Sequence, residues 1–588
     1  MANFFTDNQD MMFLFKHFNL ERLATLQEED FRFHEEFDFA PEDADDARDS
    51  YERILKNVGQ ICGDEIAPTA EESDNVGNIL NDDGSVTYTP GIQNAIERLA
   101  QAEAMGFTLP YRFGGINCPQ LVFSMSNDMV SRADASLMNI YGLQGNADTL
   151  NAFASEEIKQ EYLPDMAAGN WTSAMVLTEP DAGSDLQAVR CSAYQDENGE
   201  WFIHGVKRFI TNGCGEVLLC LVRTEPEISD GRGLSLLVCK RGPKVKIRRL
   251  ENKLGIHASP TCEIFFDHVP AKLVGERQYG LIKYVMSLMN GARIGISSQS
   301  IGIGEAAYRV ARDYGASREQ YGVTIDTFPA VRELLVNSQV DLQAARSLTY
   351  YATFNVDIEI ACEKKALVAE GDEKKANRKT LRSIGRYNKL LTPMAKYYGS
   401  EMSMRVSNDA IAVLGGSGYM KDYASERHMR DARITTIYEG TSQLQVLAAV
   451  AGVLSGTCKT VIEDITAKPT RADAWSADTK GFIETIQAKM VELDECVTFI
   501  KTKSTAYRDL MARKLVDMGI FLVVGTQFAD QAESTVDDEM AATKLKVLKH
   551  WMAWRMPEFD SYKAAIFADL DYVNPDFEAL AGPLPIIE

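Results

Sequence analysis

The apolar residues change their period twice along this chain, and that change limits its fold more than any other feature. Up to about residue 170 they recur at helical spacing, as in "QNAIERLAQAEAMGF" and "SEEIKQEYLPDMAAG". Between Trp171 and Val269 they gather into short runs rich in β-branched residues, "VLLCLVRT", "LSLLVCK", "VKIRRL" and "CEIFFDHV". Helical spacing returns from about 276 and holds to about 455. A period near 3.6 lines one face of a helix, whereas short apolar runs between turn signals suit strands. The chain is 588 residues long, too long for one core. The expected fold is α+β and multidomain. It has an N-terminal α-helical domain (1–170), a middle β-domain (171–275), a C-terminal α-domain resembling a four-helix bundle (276–455) and an extra α-helical module (470–588).

Local signals sharpen this division. Ser155 is placed to cap a helix, Pro164 punctuates it, and Gly106 is the expected stop of the helix before it. Asn198-Gly199 between two β-rich runs is a hairpin signal, because both residues tolerate positive φ. A polar, breaker-rich stretch, "TCKTVIEDITAKPTRADAWSADTKG", follows the helical region that ends near 455. Beyond it Phe482, Ile486, Met490, Leu493 and Val497 form one helix stripe, which is core by default.

Charge and composition exclude several function classes. The net charge of −24 argues against a broad phosphate-binding surface, so no nucleic-acid partner is expected. The ten cysteines include no C-x-x-C pair, which suits free thiols in a reducing compartment. No metal is expected; His204, His257 and His268 read as structural or surface histidines. "MMFLFKHF" is too short for a signal peptide, and "GIFLVVG" (519–525) cannot span a bilayer. A cytoplasmic protein without a transmembrane segment is expected.

A few stretches carry chemistry. "LTEPDAGSD" (177–185) sets Thr178 and Ser184 in a tight loop; on its own it is either a ligand loop or a loop with local side-chain bonds. "RFITNG" presents Thr211 at a strand end. "GGSGY" (415–419) either admits a phosphate beside the backbone or turns the chain. "SIGIGEA" has the G-x-G-x-x-A spacing but no strand before it, so it is no dinucleotide fingerprint. In "RITTIYEGTSQLQVLAAVAG", Glu439 hangs at a helix entrance among apolar neighbours, with Thr441 or Ser442 as cap. Such an acid is a general base whose pKa burial would raise, or a carboxylate favoured by the helix dipole.

Together and in order, these stretches resemble the acyl-CoA dehydrogenase family. The likeness runs from about residue 50 to 455 and includes "GVKRFITNG", "SREQYG" and "VLGGSGYMKDYASERHMRDARITTIYEGTSQLQ". "KLGIHASPTCEIFFD" and the helical tail resemble a longer bacterial branch with an added C-terminal domain. The resemblance implies an FAD contacted by Thr178, Thr211, Arg318, Tyr321, Gly415, Gly416, Thr441 and Gln443, with Arg318 reaching the cofactor of a neighbouring subunit. It implies Glu439 as the base, and an acyl-CoA met by Ser184, Arg293 and Gly440. The implied reaction is α,β-dehydrogenation to a trans-2-enoyl-CoA, as in fatty-acid β-oxidation, with electrons passed to an electron-transferring flavoprotein from a homodimer or homotetramer. An acyl-CoA oxidase using oxygen, or a non-catalytic scaffold subunit, is the alternative on the same fold. Three positions depart from the family pattern: Phe209 for a common Trp, and Pro329 and Ala412 each for a common Gln.

Overall fold

The computed structural model describes residues 2–368, 370–568 and 570–585. They pack as two compact units. The first comprises Met1–Met12, Asn19–Leu342 and Gly399–Thr441; the second comprises Phe13–Phe18, Gln343–Tyr398 and Ser442–Glu588. The long helices Pro329–Val368 and Gly371–Leu414 each contribute residues to both units, so packed units and chain order are different partitions.

In the first unit, the helix Gln120–Ala133 is buried along almost its whole length and packs on the helix Met286–Ser317. Small residues make this contact close. The Ser124 and Ser298 hydroxyls lie 2.7 Å apart, and Ser131 Oγ donates to the Gln299 carbonyl at 2.7 Å. A Cβ on Gly302 would stand 2.4 Å from the Asp128 carbonyl oxygen. The glycines of "SIGIGEA" therefore sit inside a helix, and Gly302 serves helix packing.

Two-residue strands, β1 (Ile79–Leu80) and β2 (Val86–Thr87), pair near the front of this unit. Its main sheet has seven strands: β3 (Ser173–Val176), β4 (Ser192–Gln195), β5 (Trp201–Thr211), β6 (Val217–Arg223), β7 (Leu234–Lys240), β8 (Val245–Leu250) and β9 (Thr261–Leu273). The run β6–β7–β9–β5–β4 returns to β6 through a single parallel pairing, Ser192 with Arg223. β3 lies parallel to β6, and β8 pairs with β9. Both faces of β6 are covered. Leu219 and Leu221 join the helix residues Ile158, Tyr162 and Leu163, while Leu218, Cys220 and Val222 fill the opposite side with Ile264 and Phe266. This is why β6 reads as a continuous apolar run rather than an alternating one. The Asn198-Gly199 hairpin joins β4 to β5, with Gly199 at φ 83°.

Some local expectations shift. The helix Pro90–Gln101 ends five positions before Gly106, because Glu103 turns the chain at φ 58°. Pro164 does not end its helix, which runs Glu156–Ala167 from the Ser155 cap and carries the proline in its last turn. The first part of the breaker-rich stretch is itself helical, Thr457–Thr466.

The second unit is helical. Its centre is the helix Thr505–Ala532, on which Ser442–Leu454, Thr457–Thr466, Ala477–Lys501 and Asp538–Phe567 pack. "GIFLVVG" is buried within that central helix, so its hydrophobicity is a core property. The Trp551 indole donates to the Phe521 carbonyl at 3.0 Å. The stripe Ile486, Met490, Leu493 and Val497 is buried, while Ile483 takes the inward place expected of Phe482. Phe13–Phe18 joins this unit through His17, whose ring nitrogens meet Ser534 Oγ at 3.0 Å and Asp530 Oδ2 at 3.1 Å. Among the described residues no single helix is long and apolar enough to cross a membrane.

Candidate active site

Glu439 lies in the short link between the helices Ser425–Thr435 and Ser442–Leu454. It is half-buried, and its backbone is left-handed at φ 54°, followed by Gly440 at φ 86°. Glycine adopts this region without penalty, but for a glutamate it costs energy that the surroundings must hold. Tyr438 supplies part of that hold. Its hydroxyl donates to Asn139 Oδ1 at 3.0 Å and also meets Gln299 Oε1. Gln299 in turn donates through Nε2 to Asn139 Oδ1 and to the Ala135 carbonyl, both at 2.9 Å. The residue before the acid is thus fixed by the helices Ala135–Tyr141 and Met286–Ser317.

Arg293, near the start of the second of these helices, is half-buried. Burial lowers the pKa of its guanidinium, and the Glu439 carboxylate opposes that shift. Its Nη1 donates to Asn290 Oδ1 at 3.2 Å, while its Nε is buried with no partner among the described residues. Two of the expected site residues, Arg293 and Glu439, therefore share one electrostatic environment. A carboxylate there is a proton acceptor beside a cation able to steady an anionic ligand.

The loop after β3 is built on a buried ion pair. Lys207 Nζ lies 2.9 Å from Glu179 Oε1 and donates to the Leu177 carbonyl at 2.7 Å. Glu179 also accepts from the backbone N–H groups of Arg190 and Cys191, each at 2.8 Å. Arg208 N–H donates to the Thr178 carbonyl at 3.0 Å. These bonds set Thr178 beside β5, the strand that ends in Thr211. Asn212 holds that end. It is buried at φ 52°, donates through Nδ2 to Thr172 Oγ1 (3.1 Å) and to the Ser173 carbonyl (2.9 Å), and accepts from the Tyr88 hydroxyl. Phe209, two residues before Thr211, is 50% exposed with φ 60°.

The remaining predicted residues are more exposed. Ser184 is on the surface of the loop. Arg318 ends the helix Met286–Ser317 and leads into β10 (Glu319–Gln320) and β11 (Val323–Thr324). Tyr321 and Gly322 form their turn at φ 54° and 80°, and Tyr321 is 89% exposed. Gly415 and Gly416 open a 3-10 turn, and among the described residues nothing beyond the local backbone lies within 4 Å of where a Cβ on either would stand. Thr441 is half-buried after Gly440; Gln443 is exposed on the first turn of Ser442–Leu454, in the second unit. Pro329 starts a helix, and Ala412 is exposed near the end of the helix Gly371–Leu414.

The sequence alone gives no role to Tyr438, Asn139, Gln299 or the Glu179–Lys207 pair. Glu179 and Lys207 stand inside the stretches "LTEPDAGSD" and "GVKRFITNG", but no local pattern pairs them. Nothing local marks Asn139 or Gln299, since their role depends on helix packing.

Three family models match the chain in order: acyl-CoA dehydrogenase, N-terminal domain (48–170), middle domain (174–269) and C-terminal domain (282–370 and 373–454). An acyl-CoA dehydrogenase of Bacillus subtilis (strain 168) is 33% identical over 412 residues, covering 69% of this chain and 98% of that protein. The butyryl-CoA dehydrogenase of Megasphaera elsdenii has a solved structure that is 27% identical, with a TM-score of 0.58 over 69% of this chain and 98% of that one. An acyl-CoA dehydrogenase of Bacillus anthracis, solved with FAD, shares the fold over 92% of both chains at a TM-score of 0.74 and 20% identity. The last likeness extends the shared fold into the C-terminal helices. On these matches the chain belongs to the acyl-CoA dehydrogenase family of FAD-dependent oxidoreductases.

Proposed function

We propose that this protein dehydrogenates an acyl-CoA thioester to the trans-2-enoyl-CoA, with Glu439 as the base. The observation that carries the reading is the left-handed Glu439 between an anchored Tyr438 and Gly440, with Arg293 in electrostatic contact. Glu439 takes the α-proton. The backbone N–H of Glu439 donates to the thioester carbonyl and stabilises the charge that develops there. Ser184, Arg293 and Gly440 hold the acyl-CoA.

The residues fit an FAD. Thr178 and Thr211 offer hydroxyls on elements joined by the Arg208–Thr178 bond, and the exposed Phe209 offers a flat apolar surface beside them. Gly415 and Gly416 leave open space at the backbone, as a diphosphate requires. Thr441 and Gln443 complete the set next to the base. Bound FAD supplies acceptance of the β-hydrogen as hydride. Arg318 and Tyr321, exposed on their hairpin, serve the cofactor of a second copy, so the working form is a homodimer or homotetramer. Electrons leave to an electron-transferring flavoprotein.

The test is anaerobic titration of the FAD-loaded protein with a panel of straight, branched, aryl and dicarboxylic acyl-CoAs. At least one thioester should bleach the flavin and yield a product lighter by two hydrogens. A loaded protein that no thioester reduces would overturn the reading.

A further inference from the structure

On the β-domain, away from Glu439 in sequence, His204 faces a register slip between β5 and β9. Ile203 pairs with Val269 and Gly205 with Phe266, so His204 alone stands opposite both Asp267 and His268. Such bulges re-aim side chains. Here His268 takes a left-handed backbone at φ 53°, and its ring stacks on that of His204 at 4.3 Å and 15°. One donor atom from each of His204, Asp267 and His268 lies within 4.8 Å of the others.

The bonding around these groups is unfinished. Among the described residues His204 Nδ1 is buried without a hydrogen-bond partner, which is costly for a ring nitrogen. His268 Nδ1 meets the Tyr194 hydroxyl at 2.9 Å, which orients the ring and leaves Nε2 as its ligating nitrogen. Asp267 Oδ2 is held by Lys246 Nζ at 2.6 Å, on a lysine side chain that is 54% exposed. Lys244 Nζ sits on the His268 carbonyl at 3.4 Å, not on its ring.

We infer that His204, Asp267 and His268 form a binding site for one divalent first-row transition ion of the zinc class. Two imidazoles and a carboxylate suit such an ion, with water in the fourth position. The donor atoms would close from within 4.8 Å to the roughly 3.4 Å separation that ligands about 2.1 Å from a tetrahedral ion keep. The ion displaces Lys246 from Asp267, supplies the missing partner of His204 and ties β5 to β9 across the bulge. It is a staple on the strand that ends at Thr211, separate from the proposed redox chemistry.

The experiment titrates tag-free, FAD-loaded full-length protein with Zn²⁺ against a chromophoric chelator and follows thermal unfolding with and without Zn²⁺. One Zn²⁺ should bind per chain and raise the unfolding midpoint. His268→Ala, a change at an exposed residue, should abolish that binding and the midpoint shift, as should His204→Ala. Tyr194→Phe should weaken binding about tenfold, and Lys246→Ala should tighten it. Unchanged stoichiometry and affinity in His268→Ala, or no Zn²⁺ bound by the wild type at millimolar concentration, would overturn the site.

Discussion

The Tyr438 hydroxyl lies 3.0 Å from Asn139 Oδ1, so the residue preceding Glu439 is bonded to a helix about 300 positions earlier in the chain, at a separation of 299. This bond and its neighbour at Gln299 hold a strained glutamate in place rather than touching substrate themselves. Tyr438→Phe keeps the ring and removes the anchor. Losing one buried hydrogen bond costs on the order of 1 kcal/mol, which is about tenfold in rate if it is felt at the transition state. Stopped-flow flavin bleaching should slow by about that factor with FAD content unchanged. An unaltered rate would show that Glu439 is held without Tyr438.

Glu179→Gln should be among the most damaging changes in the β-domain. It leaves the Lys207 ammonium fully buried without its anionic partner, bonded to the Leu177 carbonyl. Breaking such a pair costs about 3 kcal/mol or more, and the Thr178 loop should loosen with it, so FAD should be lost more readily. The double change Glu179→Gln/Lys207→Met should recover part of the loss. Urea unfolding measures both; a cost below about 1 kcal/mol would mean that the pair behaves like a surface salt bridge.

Much of the architecture was legible because periodicity survives in a single sequence. β6 and β7 were readable as strands from "VLLCLVRT" and "LSLLVCK", and the hairpin from Asn198-Gly199. Glu439 was legible as an acid at a helix entrance, but its left-handed backbone was not, because φ at a non-glycine residue is set by what surrounds it. The anchor of Tyr438 depends on Asn139 and Gln299, brought near by packing between distant helices, and no local pattern encodes that. Pro164 misled as a punctuation mark because a helix in its final turn tolerates a missing N–H when its neighbours are packed.

Arg318→Ala should lower FAD retained per chain after gel filtration while leaving the helical circular dichroism unchanged. Arg318 is exposed at the end of its helix, so its removal disturbs little within one chain. Sedimentation should show an oligomer for the wild type. A monomer that retains FAD fully would contradict a cofactor site shared between copies.

The link between the β-domain and the helix leading to Glu439 should be sensitive to pH. Asp431 Oδ1 accepts the Ile256 N–H, and burial pushes this carboxyl up to about 7, against the lowering effect of that bond. Asp134, in the same cluster with Asp74, Arg427, Arg430, His428 and His257, is pushed up to about 6, again by burial. A folded-state pKa above the unfolded value of 3.8 stabilises the protein at low pH and loses that contribution as pH rises through about 7. Asp431→Asn keeps an acceptor for Ile256 without the titration. Its stability should therefore fall less than the wild type's between about pH 4 and pH 7, the span of that loss. Parallel pH profiles of unfolding free energy would contradict this.

The most direct measurement is anaerobic flavin reduction in Glu439→Gln. Glutamine preserves size and the backbone N–H but cannot accept the α-proton. The variant should fold, hold FAD and bind acyl-CoA, yet bleach its flavin slower by a factor of ~10²–10⁴ or more. Bleaching at a near wild-type rate would place the base elsewhere and contradict the proposed role of Glu439.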